Sequence, residues 1–258
     1  MSDRLPPFEA IDNFRDYGGY AVDGRQLARG RLYRAAHQAR ATDADVAQLD
    51  ALKLAAVVDL RRPSERRAQP SRRPAGWAGT LIESDHDDGG EAPHLTFLKT
   101  ADLTEASGRA FMTETYRRLP FEAAHVDLFG RYFRLLADAE GPVLIHCAAG
   151  KDRTGLLAAL THSLLGVAHD DLMADYLATN AAVRLEERAE EMASRLTAMT
   201  GRTASHGAVV AFLGVEAAYL DEAFSAIRAH SGSVDGYLER VLGVEGPLAD
   251  RIRARLAP

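Results

Sequence analysis

An α/β fold with a central, mainly parallel sheet flanked by helices is what the sequence predicts, in one domain spanning 1–258. Three observations carry that expectation. Two short apolar runs, Leu54–Leu60 and Val143–Ile145, read as strands buried on both faces. Segments of helical period alternate with them, which calls for parallel strands joined by crossovers. Beyond residue 166 only helical period remains, so the chain divides into an α/β core over 1–166 and a helical extension over 167–258.

The elements follow in order. The N-terminal region alternates short strand-like pieces with turn signals such as Tyr17-Gly18-Gly19-Tyr20 and Asp23-Gly24. Thr42 is placed to cap a helix, with Asp45 three residues on, and Val46, Leu49 and Leu52 share that helix's apolar face. Next comes the first buried strand. Pro63, Pro70, Pro74 and Pro93 then predict mostly irregular chain over 61–108. Val126, Phe129, Phe133 and Leu136 give a helix across Phe121 to Ala139, which Gly141-Pro142 ends ahead of the second strand. Leu156, Leu160 and Leu164 line a helix over Thr154 to Leu165, stopped by Gly166. Further stripes are Leu185, Met192, Leu196 and Met199, then Leu220, Phe224 and Ile227, then Tyr237, Leu238, Val241 and Leu242.

Composition narrows the function classes. With 47% hydrophobic and 26% charged residues in 258, the chain is not disordered, collagen-like or low-complexity. A net charge of −6 argues against a nucleic-acid binder. The single cysteine, Cys147, excludes an internal disulfide. Asp3, Arg4 and Glu9 stand where a signal peptide would be apolar, and Thr161, His162 and Ser163 interrupt the longest apolar run. The expectation is a soluble, cytoplasmic protein with no transmembrane segment.

In open parallel sheets, ligands sit beyond the carboxyl ends of the strands. The turn after Ile145 lies at such an end and reads His146-Cys147-Ala148-Ala149-Gly150-Lys151-Asp152-Arg153-Thr154-Gly155. A cysteine after a buried strand, five residues, then an arginine opening a helix make a cup for an oxyanion. Main-chain N–H groups of Ala148, Ala149, Gly150 and Lys151 can form the nest, and the helix N-terminus adds its dipole. Gly150 permits the torsions the turn needs. Arg153 offers a planar fork to two phosphate oxygens. The same features favour the thiolate of Cys147, which can attack a bound phosphate monoester. Thr154 can donate its hydroxyl to sulfur when the thiolate departs. No metal or other cofactor is required.

The stretch from His146 to Gly155 resembles the signature of cysteine-dependent protein-tyrosine and dual-specificity phosphatases, including their lipid phosphatase relatives. Its Gly-Lys-Asp-Arg-Thr-Gly form is most similar to a bacterial group in which some members accept phosphoinositides as well as phosphoproteins. Similar too are Asn13–Gly19, Gly30–Arg34, Val57–Arg61, Asp175-Tyr176-Leu177 and Asn180. The resemblance implies a phosphatase fold over the single domain and a cysteinyl-phosphate intermediate. It implies phosphotyrosine substrates, with phosphoserine, phosphothreonine and phosphoinositides as further candidates. Many tyrosine phosphatases draw their acid from a Trp-Pro-Asp loop, but the only tryptophan, Trp77, is followed by Ala78-Gly79. The resemblance implies Asp152 as the acid instead, with Asp85, Asp87, Asp88 and Asp102 as competitors. It also suggests that Asp59 lines the site, although an aspartate paired to a nearby arginine fits the residues equally well.

Three further features invite two readings each. Lys151, one of three lysines among 31 basic residues, can recruit a second phosphate or lend only general potential. Arg61, Arg62, Arg66, Arg67, Arg72 and Arg73 read as a solvated loop before they read as an anion-steering patch. The helix over 185–199 reads as core packing or as a lid over the cup. Rival functions are a metal-dependent hydrolase built on Asp85 to Asp88 and His94, thiol-transfer chemistry, and a phosphate-binding module without turnover.

Overall fold

The computed structural model describes residues 8–86, 93–203 and 205–257. Strand β1 (Arg15–Asp16) leads into a hairpin of β2 (Ala21–Val22) and β3 (Arg25–Gln26), then β4 (Leu32–Ala35), α1 (Asp43–Ala51) and β5 (Ala56–Asp59). Helix α2 (Pro63–Ala68), β6 (Thr80–Ile82), α3 (Pro93–Thr100), α4 (Glu105–Arg118) and α5 (Ala123–Asp138) follow. Strand β7 (Val143–His146) precedes α6 (Asp152–Leu165) and α7 (His169–Ala182). The extension continues through α8 (Leu185–Thr200), α9 (His206–Leu213), α10 (Ala217–Ser231), α11 (Val234–Arg240) and α12 (Gly246–Leu256).

The main sheet has the order β1-β4-β7-β5-β6, with β1 antiparallel and the other neighbours parallel. Both strands read from the sequence are central and fully buried. Register sets Ala35, His146 and Asp59 side by side, so three parallel strands end in one row. The loop leaving β7 therefore emerges at the middle of the sheet's carboxyl edge. Asp23 (φ 47°) and Gly24 (φ 75°) make the two-residue turn between β2 and β3, as Asp-Gly predicts.

Local chemistry accounts for the helix ends. Thr42 accepts from the Asp45 N–H while the Asp45 carboxylate accepts from the Thr42 N–H, a closed capping box. Helix α6 is buried around nearly its whole circumference, including Leu156, Leu160 and Leu164, and stops at Gly166 in the left-handed conformation (φ 81°). Helices α9 and α10 pack on α4, and α12 on α5 and α6, so the extension closes over the core.

The expectation of irregular chain over 61–108 is overturned: α2, β6, α3 and the start of α4 fall there. Pro63 and Pro93 open helices rather than break them, because a first-turn residue needs neither an N–H partner nor a φ other than proline's. Among the described residues, no helix is long and apolar enough to cross a membrane.

Candidate active site

The loop Cys147–Lys151 joins β7 to α6, and three of its carbonyls are held by residues far away in the chain. The Ala148 carbonyl accepts from the His37 N–H at 3.2 Å. Asn13 Nδ2 donates to the carbonyls of Ala149 (3.2 Å) and Gly150 (2.7 Å), and Arg34 Nη2 donates to Gly150 at 3.1 Å. Among the described residues, nothing accepts from the N–H groups of Ala148, Ala149, Gly150 or Lys151. Peptide units anchored by their oxygens leave their N–H groups as one unsatisfied set, which is an anion nest. Gly150 makes the turn possible: its φ is +67°, and a Cβ there would lie 2.4 Å from the Ala35 carbonyl carbon and oxygen. Helix α6 begins without a side-chain cap, so its dipole end adds to the nest. Cys147 is buried at the head of this loop, a free thiol.

Arg153 is gripped by Glu65 at 2.6 and 2.9 Å, and its Nη1 also donates to the Leu60 carbonyl. Burial works against the guanidinium's charge, but the Glu65 hydrogen bonds prevail and hold its pKa above the ordinary value. Burial likewise works against the Glu65 carboxylate, and the Arg153 bonds bring it down to about 2. Glu65 thus fixes the plane of the fork. The Thr154 hydroxyl is buried and, among the described residues, has no partner, so its proton is unclaimed.

Asp152 opens α6, with its Oδ1 accepting from the Tyr116 hydroxyl at 2.9 Å and lying 3.5 Å from Lys151 Nζ. Lys151 itself reaches across to the extension, where its ammonium donates to the carbonyls of Phe212 (2.6 Å) and Gly214 (3.1 Å) at the end of α9. Asp59 lies under the loop, buried, with Arg61 forked onto both its oxygens and His146 Nε2 at 3.7 Å. That geometry matches the arginine-paired reading of Asp59. Burial outweighs the pull of Asp59 and brings His146 down to about 4. His125, buried beside α5's start, lies at about 4 for the same leading reason.

These two histidines give a pH prediction. Their folded values lie below the ordinary 6.5, so the unfolded chain takes up protons first as pH falls. Their contribution to stability is whole above about 6.5 and is lost on the way to about 4. Urea midpoints should fall steadily between pH 7 and 4.5. A flat midpoint over that range would contradict the buried neutral state of both rings.

A cavity of about 220 Å³ adjoins the loop, lined by Ala36, Ala148, Ala149 and Lys151 on one side. Leu185, Arg188 and Met192 of α8 line the other, and Arg188 pairs with Asp12 at 3.0 and 3.2 Å. The arginine run is solvated only in part: Arg67 and Arg72 are exposed, and Arg66 and Arg67 lie on helix α2. Arg61 is buried on Asp59, Arg66 donates to the carbonyls of Arg61 and Ser84, and Arg72 donates to the Ala41 carbonyl and Asp43. Asp85 is exposed and paired to Arg66, and Asp102 accepts from Thr104 ahead of α4. Asp87 and Asp88 lie outside the described residues. Among the described residues, no group of three or more metal-ligating side chains comes together.

Sequence reasoning missed Glu65, Tyr116 and the buried cluster Arg15–Asp175–Arg34 as parts of the site. Asp175 accepts from Arg15 Nε (3.2 Å) and Arg34 Nη1 (2.6 Å), and Arg34 in turn holds Gly150. The segments Asn13–Gly19 and Asp175–Leu177 were visible only as likenesses, without this role.

A thiol at the head of a main-chain anion nest, with a carboxylate-gripped arginine in the first turn of the following helix, defines a cysteine-based phosphatase acting on phosphate monoesters. The chain belongs to the tyrosine phosphatase family, whose sequence profile matches residues 6–258. It is 34% identical over 274 residues to the triple specificity protein phosphatase PtpB of Mycobacterium tuberculosis, covering 95% of this chain and 96% of that one. A Cupriavidus necator protein with a provisional tyrosine-protein phosphatase name is 36% identical over 239 residues, covering 92% and 84%. A tyrosine-protein phosphatase of Nostoc commune is 27% identical over 247 residues, covering 86% and 73%.

Proposed function

We propose that this chain hydrolyses phosphotyrosine in protein substrates, with Cys147 as nucleophile, Asp152 as acid and then base, and Arg153 as the phosphate fork. The observation that supports the reading is the loop after Cys147, whose Ala148, Ala149 and Gly150 carbonyls are engaged by other parts of the chain while its N–H groups are left for an anion. The Cys147 thiolate forms an S–P bond as the ester P–O bond breaks, and Asp152 gives its proton to the departing oxygen. Water then attacks phosphorus and yields its proton to Asp152, while the S–P electron pair returns to sulfur. The unpartnered Thr154 hydroxyl is the donor that eases that return. Ala148, Ala149, Gly150 and Lys151 bind phosphate through their main-chain N–H groups. Asp59 acts through Arg61 and His146, holding the end of the strand.

Two features favour a singly phosphorylated aromatic side chain over a phosphoinositide. The Lys151 ammonium already serves two carbonyls, and the two arginines lining the cavity, Arg40 and Arg188, both face Asp12 while Ala36, Ala148 and Ala149 give an apolar stretch beside the loop. Helix α8 borders that cavity opposite the loop, and it acts as a lid held by the Arg188–Asp12 pair.

Asp152→Asn should lower kcat/KM on an alkyl phosphate by about 10²–10⁴-fold, while kcat/KM on 4-nitrophenyl phosphate, whose leaving group needs no proton, falls far less; hydrolysis of the intermediate, common to both esters, does not enter that ratio. Equal losses on both would remove Asp152 from the acid's role. The parent enzyme should favour a phosphotyrosyl peptide in kcat/KM over phosphoseryl peptide and phosphoinositide vesicles. Preference for the vesicles would overturn the substrate assignment.

A further inference from the structure

Behind Asp152 stands a pair of tyrosines that the reaction scheme above does not use. Tyr116, on α4, donates its hydroxyl to Asp152 Oδ1 at 2.9 Å, and Tyr176, on α7, donates to the Tyr116 hydroxyl at 2.7 Å. Both side chains are buried, with their rings edge to face at 6.2 Å, and Tyr219 packs against Tyr116 at 5.7 Å. We propose that Tyr116 is a positioning residue that fixes the Asp152 carboxyl for proton delivery, with Tyr176 bracing it from α7. The inference rests on Asp152 as the acid.

Geometry supplies the reason. A carboxyl on a short side chain at a helix start has two broad torsions, and a proton donor must be held within a few tenths of an ångström to act efficiently. Tyr116 is a rigid phenol with few torsions of its own, clamped by two other rings. By donating to Oδ1 it makes that oxygen an acceptor, which leaves Oδ2 to carry the proton and release it. Lys151 Nζ also approaches on the Oδ1 side. Burial, with the charge of Asp152 next, holds the Tyr116 phenol well above its ordinary range, and burial does the same for Tyr176. Each keeps its own proton through the cycle, so Tyr116 orients and does not shuttle.

The last residue of the signature fits the same device. A Cβ on Gly155 would lie 3.0 and 3.1 Å from two carbons of the Tyr176 ring, so glycine there leaves the ring its seat against α6. Asp175 and Tyr176, adjacent on α7, thus serve both ends of the loop. Asp175 holds Arg34, which holds the Gly150 carbonyl, and Tyr176 holds Tyr116, which holds Asp152.

The test is a double-mutant cycle of Tyr116→Phe and Asp152→Asn, with kcat and KM measured on an alkyl phosphate and on 4-nitrophenyl phosphate. Tyr116→Phe should lower kcat/KM on the alkyl ester on the order of tenfold, leave KM in place, and change kcat/KM on the nitrophenyl ester little. In the Asp152→Asn background it should cost nothing more. Equal loss on both esters, or full additivity in the double variant, overturns the positioning role while the acid assignment stands. An Asp152→Asn variant without leaving-group dependence overturns the acid assignment, and this inference with it. Tyr176→Phe keeps the Tyr116 hydroxyl and should show a smaller loss with the same leaving-group dependence. If Tyr116→Phe does not fold, a uniform effect of Tyr176→Phe on both esters overturns the proposal.

Discussion

Cys147→Ser is expected to reduce phosphatase turnover on the order of 10⁴-fold or more while the protein still folds and binds phosphate. A serine hydroxyl is not ionised near neutral pH and lacks the intrinsic nucleophilicity of sulfur, so the step that forms the covalent intermediate loses its reactant. The rest of the cup does not depend on that side chain. The loop is shaped by Asn13, Arg34 and His37 acting on carbonyls, and Arg153 is held by Glu65. Steady-state kinetics together with binding of inorganic phosphate would separate the two properties. A serine variant that retained even a tenth of the parent kcat would contradict the covalent mechanism, and one that lost anion binding would contradict the independence of the nest.

Asp175→Asn should destabilise the fold by about 3–5 kcal/mol, the range for removing one partner of a buried charge cluster. Asp175 sits between two buried guanidiniums, and their proximity holds its carboxyl far below the usual carboxylate range despite burial. Arg15 already suffers from burial and from the charge of Arg34, which bring it down to about 10. Without the carboxylate the two cations face each other unscreened. Such a loss is a large fraction of a domain's ~5–15 kcal/mol. Activity should fall too, since Arg34 also holds Gly150. Denaturant unfolding would measure the change, with Arg251→Ala as the control. Arg251 pairs with Asp138 on the surface, where an ion pair contributes ~1 kcal/mol or less. A change of under 1 kcal/mol in Asp175→Asn would mean that the cluster is not the brace described.

The chemistry-bearing loop was legible because it is contiguous: strand, nest and helix start occupy ten residues, and each has a local signature. Its supports were not legible, because each is chosen by the fold across a long stretch of chain. Glu65 is 88 residues from Arg153, Asn13 is 137 from Gly150, and Tyr116 is 36 from Asp152. Nothing local to Glu65 distinguishes it from the acidic residues near it. The arginine run misled for a related reason: charge density in sequence reads as solvation, yet Arg61 and Arg66 turn inward onto a carboxylate and carbonyls. Proline misled over 61–108 because its effect depends on position within a turn, which composition does not encode. The central strands were legible as continuous apolar runs, α5 and α10 because burial on one face imposes a helical period, and α6 from its ends, the signature loop and Gly166.

The lone indole of the chain has a practical consequence. Trp77 donates its Nε1–H to the Leu54 carbonyl and packs with Leu49, Val57 and Leu144, whereas Cys147 belongs to the apolar cluster formed with α5 and α6. Its fluorescence therefore reports the melting of one layer of the sheet. Occupancy of the anion nest can be followed separately in the same sample, by a signal that owes nothing to this chromophore.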